Sequence, residues 1–307
     1  MATVIDGKGL AAKMRAEAAK DVATLKRAGV NPGLAVVLVG DDQASATYVR
    51  SKLRDCEECG IASFDYKLPA DASQDEILQL VRNLNDDSKI TGILVQMPLP
   101  SHLDAEEIIE AISPLKDVDG FHPTSLGRLV RGLSGLRPCT PAGIMAMLDE
   151  YNIELAGKNA VIVGRSSIVG KPMAHMLLER DATISVAHSR TRNLDEICRS
   201  ADILVVACGI AKLVKGDWVR PGATVIDVGM DRDEDGRLCG DVDYDEVFNV
   251  AGAITPVPGG AHDQGHAYEQ RGDRRSHAGR GIAALFRPCF HYSFLMRSQR
   301  LFCRSNA

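Results

Sequence analysis

The stretch Ala160-Val-Ile-Val-Gly164-Arg165-Ser166-Ser167-Ile168-Val169-Gly170-Lys171-Pro172 decides the fold. Its four apolar residues, three of them β-branched, read as a buried strand. Gly164 permits a tight turn, and Pro172, which lacks an amide hydrogen, suits the first turn of a helix. Strand, glycine turn and helix start in this order aim free amides and the positive end of a helix dipole at an anion. The spacing departs from G-x-G-x-x-G, because Ser166 takes the second glycine position and Gly170 comes one residue late. Taken alone, the stretch fits a pyrophosphate cradle or a plain structural turn.

Downstream, the pattern predicts a strand at Ala182–Ala187, a helix over 193–200, and strands at Ile203–Ala207 and Thr224–Val228. A site that reads a ribose 2′-hydroxyl carries an Asp or Glu about 20 residues past the glycine turn. Here the second strand ends instead in His188-Ser189-Arg190-Thr191, and the next acid is Asp195. A carboxylate would repel a 2′-phosphate, whereas Arg and Ser can donate to one. Together with Arg165, this favours NADP over NAD, against the simpler reading of solvated surface charges.

Upstream, a second alternation runs from the N-terminus. Residues 7–29 read as an amphipathic helix, Leu34–Val39 as a buried strand, and 43–59 as a helix stopped by Gly60. A strand near Phe64–Leu68 precedes the capping box Ser73-x-x-Glu76, which opens a helix. Ile93–Val95 is the next strand, and Asp104 starts another helix. After the glycine-rich connection near Gly132–Pro138, residues 141–150 read as helix and lead into the Ala160 strand. Alternating strands and helices imply parallel sheets with both faces covered. The expected architecture is α/β: an N-terminal α/β catalytic domain (1–138) and a C-terminal Rossmann-like NADP-binding domain (139–261).

Composition fits two globular units. Of 307 residues, 45% are apolar and 25% charged, which excludes disordered, collagen-like and coiled-coil chains. No apolar run is long enough for a membrane span, and the N-terminus does not resemble a signal peptide, so a cytoplasmic protein is expected. The net charge of −5 argues against nucleic acid as the main partner. Cys56 and Cys59 form a CxxC, but their acidic neighbours Glu57 and Glu58 disfavour a thiolate, so ordinary reduced cysteines fit better. The scattered His and Cys show no metal-ligand spacing.

In the first unit, Tyr48 and Lys52 stand four apart and share one helix face. On spacing alone an ordinary amphipathic face explains them better than a site. Gln96 ends a strand and Asp119 lies in the turn Lys116-Asp-Val-Asp119-Gly120. Strand ends of parallel sheets line the crevices where ligands bind. A Lys in an apolar cleft can act as a base or as a fixed charge.

The segments DDQASATYVRSK (41–52), ILVQMPLP (93–100), KDVDGFHP (116–123), GRL (127–129), CTPAG (139–143), GRSSIVGKP (164–172), HSRT (188–191) and ITPVPGG (254–260) occur in this order. In them the chain resembles the bifunctional methylenetetrahydrofolate dehydrogenase/methenyltetrahydrofolate cyclohydrolase family. The resemblance implies NADP-dependent oxidation of 5,10-methylenetetrahydrofolate, then hydrolysis of the methenyl product to 10-formyltetrahydrofolate, within one-carbon metabolism. It implies that Lys52 is the catalytic lysine, Tyr48 shapes the folate pocket, Gln96 hydrogen-bonds the lysine and Asp119 holds the pterin. Gly164, Arg165, Ser166, Ile168 and Ser189 fall on the cofactor side, with Thr140 and Pro141 near the interdomain cleft. Tetrahydrofolate substrates and a homodimer joined through the second domain follow from the same resemblance.

The resemblance stops at Gly260, where the family continues V-G-P-M-T. Residues 262–307 carry eight Arg, no Lys, four of the eight His and four of the seven Phe, an abrupt change of composition. Back-translated and read one base later, His262–Gln270 permits Met-Thr-Lys-Gly-Met-Leu-Met-Ser, the segment that is missing. The expectation is a frameshift close to Gly260, favoured over a genuine lineage-specific tail, and poor order in the residues that follow. Two alternatives follow: a dehydrogenase without effective cyclohydrolase activity, which Lys52 and Gln96 disfavour, and an impaired NADP- or folate-binding protein.

Overall fold

The computed structural model describes residues 1–261. In chain order these form β1 (Thr3–Val4), α1 (Gly7–Arg27), β2 (Gly33–Val39), α2 (Gln43–Cys59), β3 (Ala62–Leu68), α3 (Gln74–Asp86), β4 (Gly92–Val95), α4 (Ala105–Ala111), α5 (Pro123–Val130) and α6 (Cys139–Glu150). They continue as β5 (Asn159–Val163), α7 (Gly170–Leu178), β6 (Thr183–Ala187), α8 (Leu194–Arg199), β7 (Ile203–Val206), β8 (Thr224–Asp227), β9 (Asp231–Arg232), β10 (Leu238–Cys239), α9 (Tyr244–Phe248) and β11 (Ala253–Ile254). Expectations for the tail lie outside the described residues.

The first unit is a parallel sheet ordered β3-β2-β4. The run GLAVVLV makes β2 central because all seven of its positions are buried. Capping then fixes the helices that follow. Asp42 accepts from the Ser45 amide at 2.7 Å to start α2, and Gly60, at φ 74°, ends it. The Ser73/Glu76 capping box is formed in full at the head of α3. An isolated parallel bridge between Ile93 and Asp117 carries the sheet's direction into the 116–120 turn.

The second unit is a six-stranded parallel sheet, ordered β1-β11-β8-β7-β5-β6. Its strand order reverses at β5, which has β6 on one side and β7 on the other. Such a reversal opens a crevice outside the carboxyl ends of the two strands. One sheet face is covered by α6 and α7 through Ile144, Met147, Leu148, Met173 and Leu177, all at 0% exposure. The other face packs Val161, Leu204, Val206 and Val225 against α8, α9 and the loops between them.

The start of the chain follows a course that hydrophobic pattern does not reveal. Thr3–Val4 pairs with β11 in the sheet of the second unit. Ile5, Leu10, Ala11 and Met14 then share one core with Ile226, Val228 and Ala253.

Candidate active site

Lys52 and Gln96 come from different elements and meet. The Lys52 ammonium, on a residue only 6% exposed, donates to Gln96 Oε1 at 3.2 Å. Gln96 follows β4 directly, and its own Nε2 donates to the Met97 carbonyl at 2.7 Å. That second bond turns the amide so that its oxygen faces the lysine. The Ile93–Asp117 bridge is parallel, so Asp119 reaches the same carboxyl edge of the sheet as Gln96, and it is half-buried there. Beside it, buried Asp117 accepts from the Phe121 and His122 amides and from Ser125 Oγ at 2.6 Å, which holds the turn in shape.

In the second unit the glycine turn is built by close approach. A side chain at Gly164, whose φ is 127°, would run into the Ala207 carbonyl at the end of β7. One at Gly170 would run into the Gly164 carbonyl. The late glycine therefore lets the helix seat directly on the turn. Ser166 Oγ accepts from the amides of Val169 (3.1 Å) and Gly170 (3.3 Å), so the hydroxyl in the second glycine position caps the start of α7. Arg165 is exposed, and Ile168 keeps 39% exposure beside the crevice. His188–Thr191 closes as a compact turn through the His188 and Thr191 amides, with Ser189 exposed. Thr140, the second residue of α6, is half-buried.

No sequence motif marks the acids that the fold gathers at the ends of β7 and β8. Asp227 accepts from the amides of Gly229, Asp241 and Val242 at 2.9–3.0 Å. Burial pushes its carboxyl up to about 7, against the pull of those three donors. Asp241, at 0% exposure, accepts from the amides of Cys208, Gly209 and Ile210. Asp231 sits against Asp241, and burial together with that neighbouring carboxyl raises it above the usual carboxylate range.

A cleft of about 230 Å³ separates the two units. Tyr48 and Ser51 of α2 line one side; Asp227, Met230 and the Pro256–Gly260 turn line the other. Tyr48 thus faces the second unit, whereas Lys52, Gln96 and Asp119 do not line this cleft.

Comparison with known proteins agrees with this arrangement. Residues 5–119 match the family model described as tetrahydrofolate dehydrogenase/cyclohydrolase, catalytic domain, and residues 138–263 match its NAD(P)-binding domain. The bifunctional protein FolD of Lactococcus lactis is 57% identical over 257 residues, covering 84% of this chain and 90% of that one. The Listeria innocua protein of the same name is 53% identical over 260 residues, covering 85% and 92%. Among solved structures, the Campylobacter jejuni FolD enzyme superposes with a TM-score of 0.89 at 47% identity, covering 91% of this chain and all of that one. The Trypanosoma brucei dehydrogenase-cyclohydrolase, solved with NADP and an inhibitor, gives 0.87 at 36%, covering 91% and 99%. With both domain models matched in order on the two units that carry the lysine–glutamine pair and the glycine turn, the chain belongs to the tetrahydrofolate dehydrogenase/cyclohydrolase family.

Proposed function

We propose that this protein oxidises 5,10-methylenetetrahydrofolate with NADP and hydrolyses the resulting 5,10-methenyltetrahydrofolate to 10-formyltetrahydrofolate. The observation that carries the reading is the contact between Lys52 and Gln96 at the carboxyl edge of the first sheet. Loss of hydride from the methylene carbon leaves a delocalised methenyl cation, to which water adds. Protons must then be moved. Gln96 offers Lys52 a neutral amide oxygen, which holds the ammonium in place without neutralising it. Lys52 can therefore give a proton to the adduct and take one back, a contribution of about 10²–10⁴-fold in general acid–base catalysis. Asp119 is assigned to the pterin and Tyr48 to the wall of the folate pocket.

The second unit fits a dinucleotide phosphate. Gly164 and Gly170 let the turn pack directly on the Ala207 carbonyl and α7 seat on the turn, contacts that a Cβ at either position would break, and so they shape the turn assigned to the pyrophosphate. Arg165 and Ser189 are exposed and free of acidic neighbours in the His188–Thr191 turn, which suits a 2′-phosphate. Ser166 shapes the turn, Ile168 offers an apolar edge, and Thr140 stands toward the interdomain side. NADP, when bound, supplies the hydride acceptor.

The same reading makes the protein a cytoplasmic homodimer joined through the second unit. Supporting it are the exposed edge strand β6, with Val186 40% exposed, and the six described cysteines, none of which is in a disulfide, as suits a reducing compartment. No helix among the described residues is long and apolar enough to cross a membrane. Incubating the protein with methylenetetrahydrofolate and NADP, while following NADPH and methenyl absorbance separately, tests the function. Turnover in both steps is expected; cofactor binding without turnover overturns the reading.

A further inference from the structure

We propose that Asp241 is a positioning residue for the nicotinamide end of the cofactor site, acting through the loop Cys208–Ile210. The inference rests on the reading that the second unit binds NADP.

Strand order sets the direction of the cofactor. A dinucleotide laid across the reversal at β5 spans the carboxyl ends of β6, β5 and β7. The β6 end carries His188–Thr191, the turn suited to a 2′-phosphate, so the adenosine half lies there. The glycine turn after β5 takes the pyrophosphate. The other half then falls on the loop after β7. Its neighbour β8 ends at Asp227, which lines the cleft shared with Tyr48 of the first unit. Tyr48, assigned to the wall of the folate pocket, marks this as the substrate side, so the reacting ring is placed at the β7 end.

The loop at that end is held by one side chain. Asp241 Oδ2 accepts from the Cys208 amide at 2.7 Å and the Gly209 amide at 3.2 Å, and Oδ1 accepts from Ile210 at 2.7 Å. Gly209 adopts φ 68°, so the loop turns sharply over the carboxylate. On the crevice side, the Ala207 carbonyl lies against Gly164 of the phosphate turn. The loop is therefore gripped between the acid behind it and the cradle before it, and a shift of one moves the other. Ile210 leaves this grip 52% exposed and gives the loop an apolar surface. A fully buried carboxylate is costly, and here three successive backbone donors offset the cost. Asparagine cannot take its place, since its single acceptor oxygen leaves an NH2 group facing either the 208–209 amides or the 210 amide.

The test compares Asp241→Asn and Ile210→Ala with the wild type in both reactions, together with direct NADPH titration and thermal unfolding. For Asp241→Asn, KM for NADP and the NADPH dissociation constant should rise about tenfold or more, in line with the loss of a charge-assisted anchor. KM for the folate substrate and the rate of methenyl hydrolysis, which uses no nicotinamide, should change little. Equal loss of both reactions in a cooperatively folded Asp241→Asn, or loss of neither, overturns the proposal. Should that variant fail to fold, Ile210→Ala decides: the residue is half exposed, keeps its anchored amide, and should weaken NADP alone by several-fold. An unchanged NADP affinity in Ile210→Ala overturns the proposal. A wild type that hydrolyses the methenyl substrate but never uses NADP would instead remove the functional reading on which it rests.

Discussion

At the scale of single residues, chemistry here depends on what neighbours do to a side chain rather than on which side chain it is. Lys52 is buried and tied to a neutral amide at 3.2 Å, so its removal leaves Gln96 without its donor and the adduct without a proton carrier. Lys52→Met is expected to lower methenyl hydrolysis by roughly 10²-fold or more in a direct absorbance assay. NADPH affinity, set in the other unit, should stay within about twofold, as for independent sites. Arg165 is exposed beside the glycine turn, and Arg165→Ala should cut the preference for NADP over NAD by roughly tenfold, the worth of one charge-assisted contact. Comparing kcat/KM for the two cofactors measures it; an unchanged ratio would remove Arg165 from 2′-phosphate recognition. The cysteines point the other way. Burial pushes the thiols of Cys59 and Cys198 up to about 11 and that of Cys208 up to about 12. All three stay protonated at pH 8, so native protein should be alkylated there at least about tenfold more slowly than a free thiol. Peptide mapping after iodoacetamide treatment checks this, and rapid labelling of Cys59 would revive a redox role for the CxxC.

At the scale of elements, the strand–turn–helix unit works because two glycines let backbone touch backbone. Gly170→Ala would push its new methyl into the Gly164 carbonyl, forcing α7 away from the turn. A stability loss of about 1–3 kcal/mol is expected from such overpacking, together with weaker NADPH binding. Thermal unfolding and titration of the variant measure both, and an unaltered turn would show that the helix has slack. The same units explain what could be read without a structure. Long buried runs such as β2 and β5, and capping signals such as Ser73/Glu76 and Asp104, announce themselves locally, because one stretch of chain carries the whole pattern. The two-residue strands β1, β9, β10 and β11 are too short to show a period. Helix α5 also passed unseen, since Pro123–Val130 buries only Ser125 and Leu129 on its inner face. In the site, spacing favoured an ordinary helix face for Tyr48 and Lys52, and the resemblance singled them out. Gln96 lies 44 residues from Lys52, and only the pairing of β4 with β2 brings them together. Asp241 carried no signal at all, because its partners are backbone amides more than 30 residues away.

At the scale of the whole molecule, the two units are stitched by the first residues of the chain. The amide of Ile5 donates to the Ile254 carbonyl at 2.8 Å, and that of Lys8 donates to the Gly259 carbonyl at 3.1 Å. Gly7 packs so closely on Gly260 that a side chain would overlap its carbonyl. Further along α1, Lys13 pairs with Glu150 of α6 at 2.8 Å, while Arg15 pairs with Glu58 of α2 at 3.1 Å. One helix thus contacts the covering helices of both sheets, and the cleft opens beside it. Ile5 is the anchor of this arrangement, at 0% exposure among Ile226, Val228 and Ala253. Ile5→Ala removes most of a buried aliphatic side chain and should cost about 2–5 kcal/mol. Its effect should appear far from its place in the sequence. Hydrogen exchange is expected to lose protection first in β11 and β8, with which the chain start is paired or packed, while β2 and β3 keep theirs. NADPH affinity should weaken before methenyl hydrolysis does, because β8 supports the cofactor side of the cleft. Loss of protection confined to α1 and the first sheet would show that the opening residues belong energetically to the first unit, and that the second folds without them.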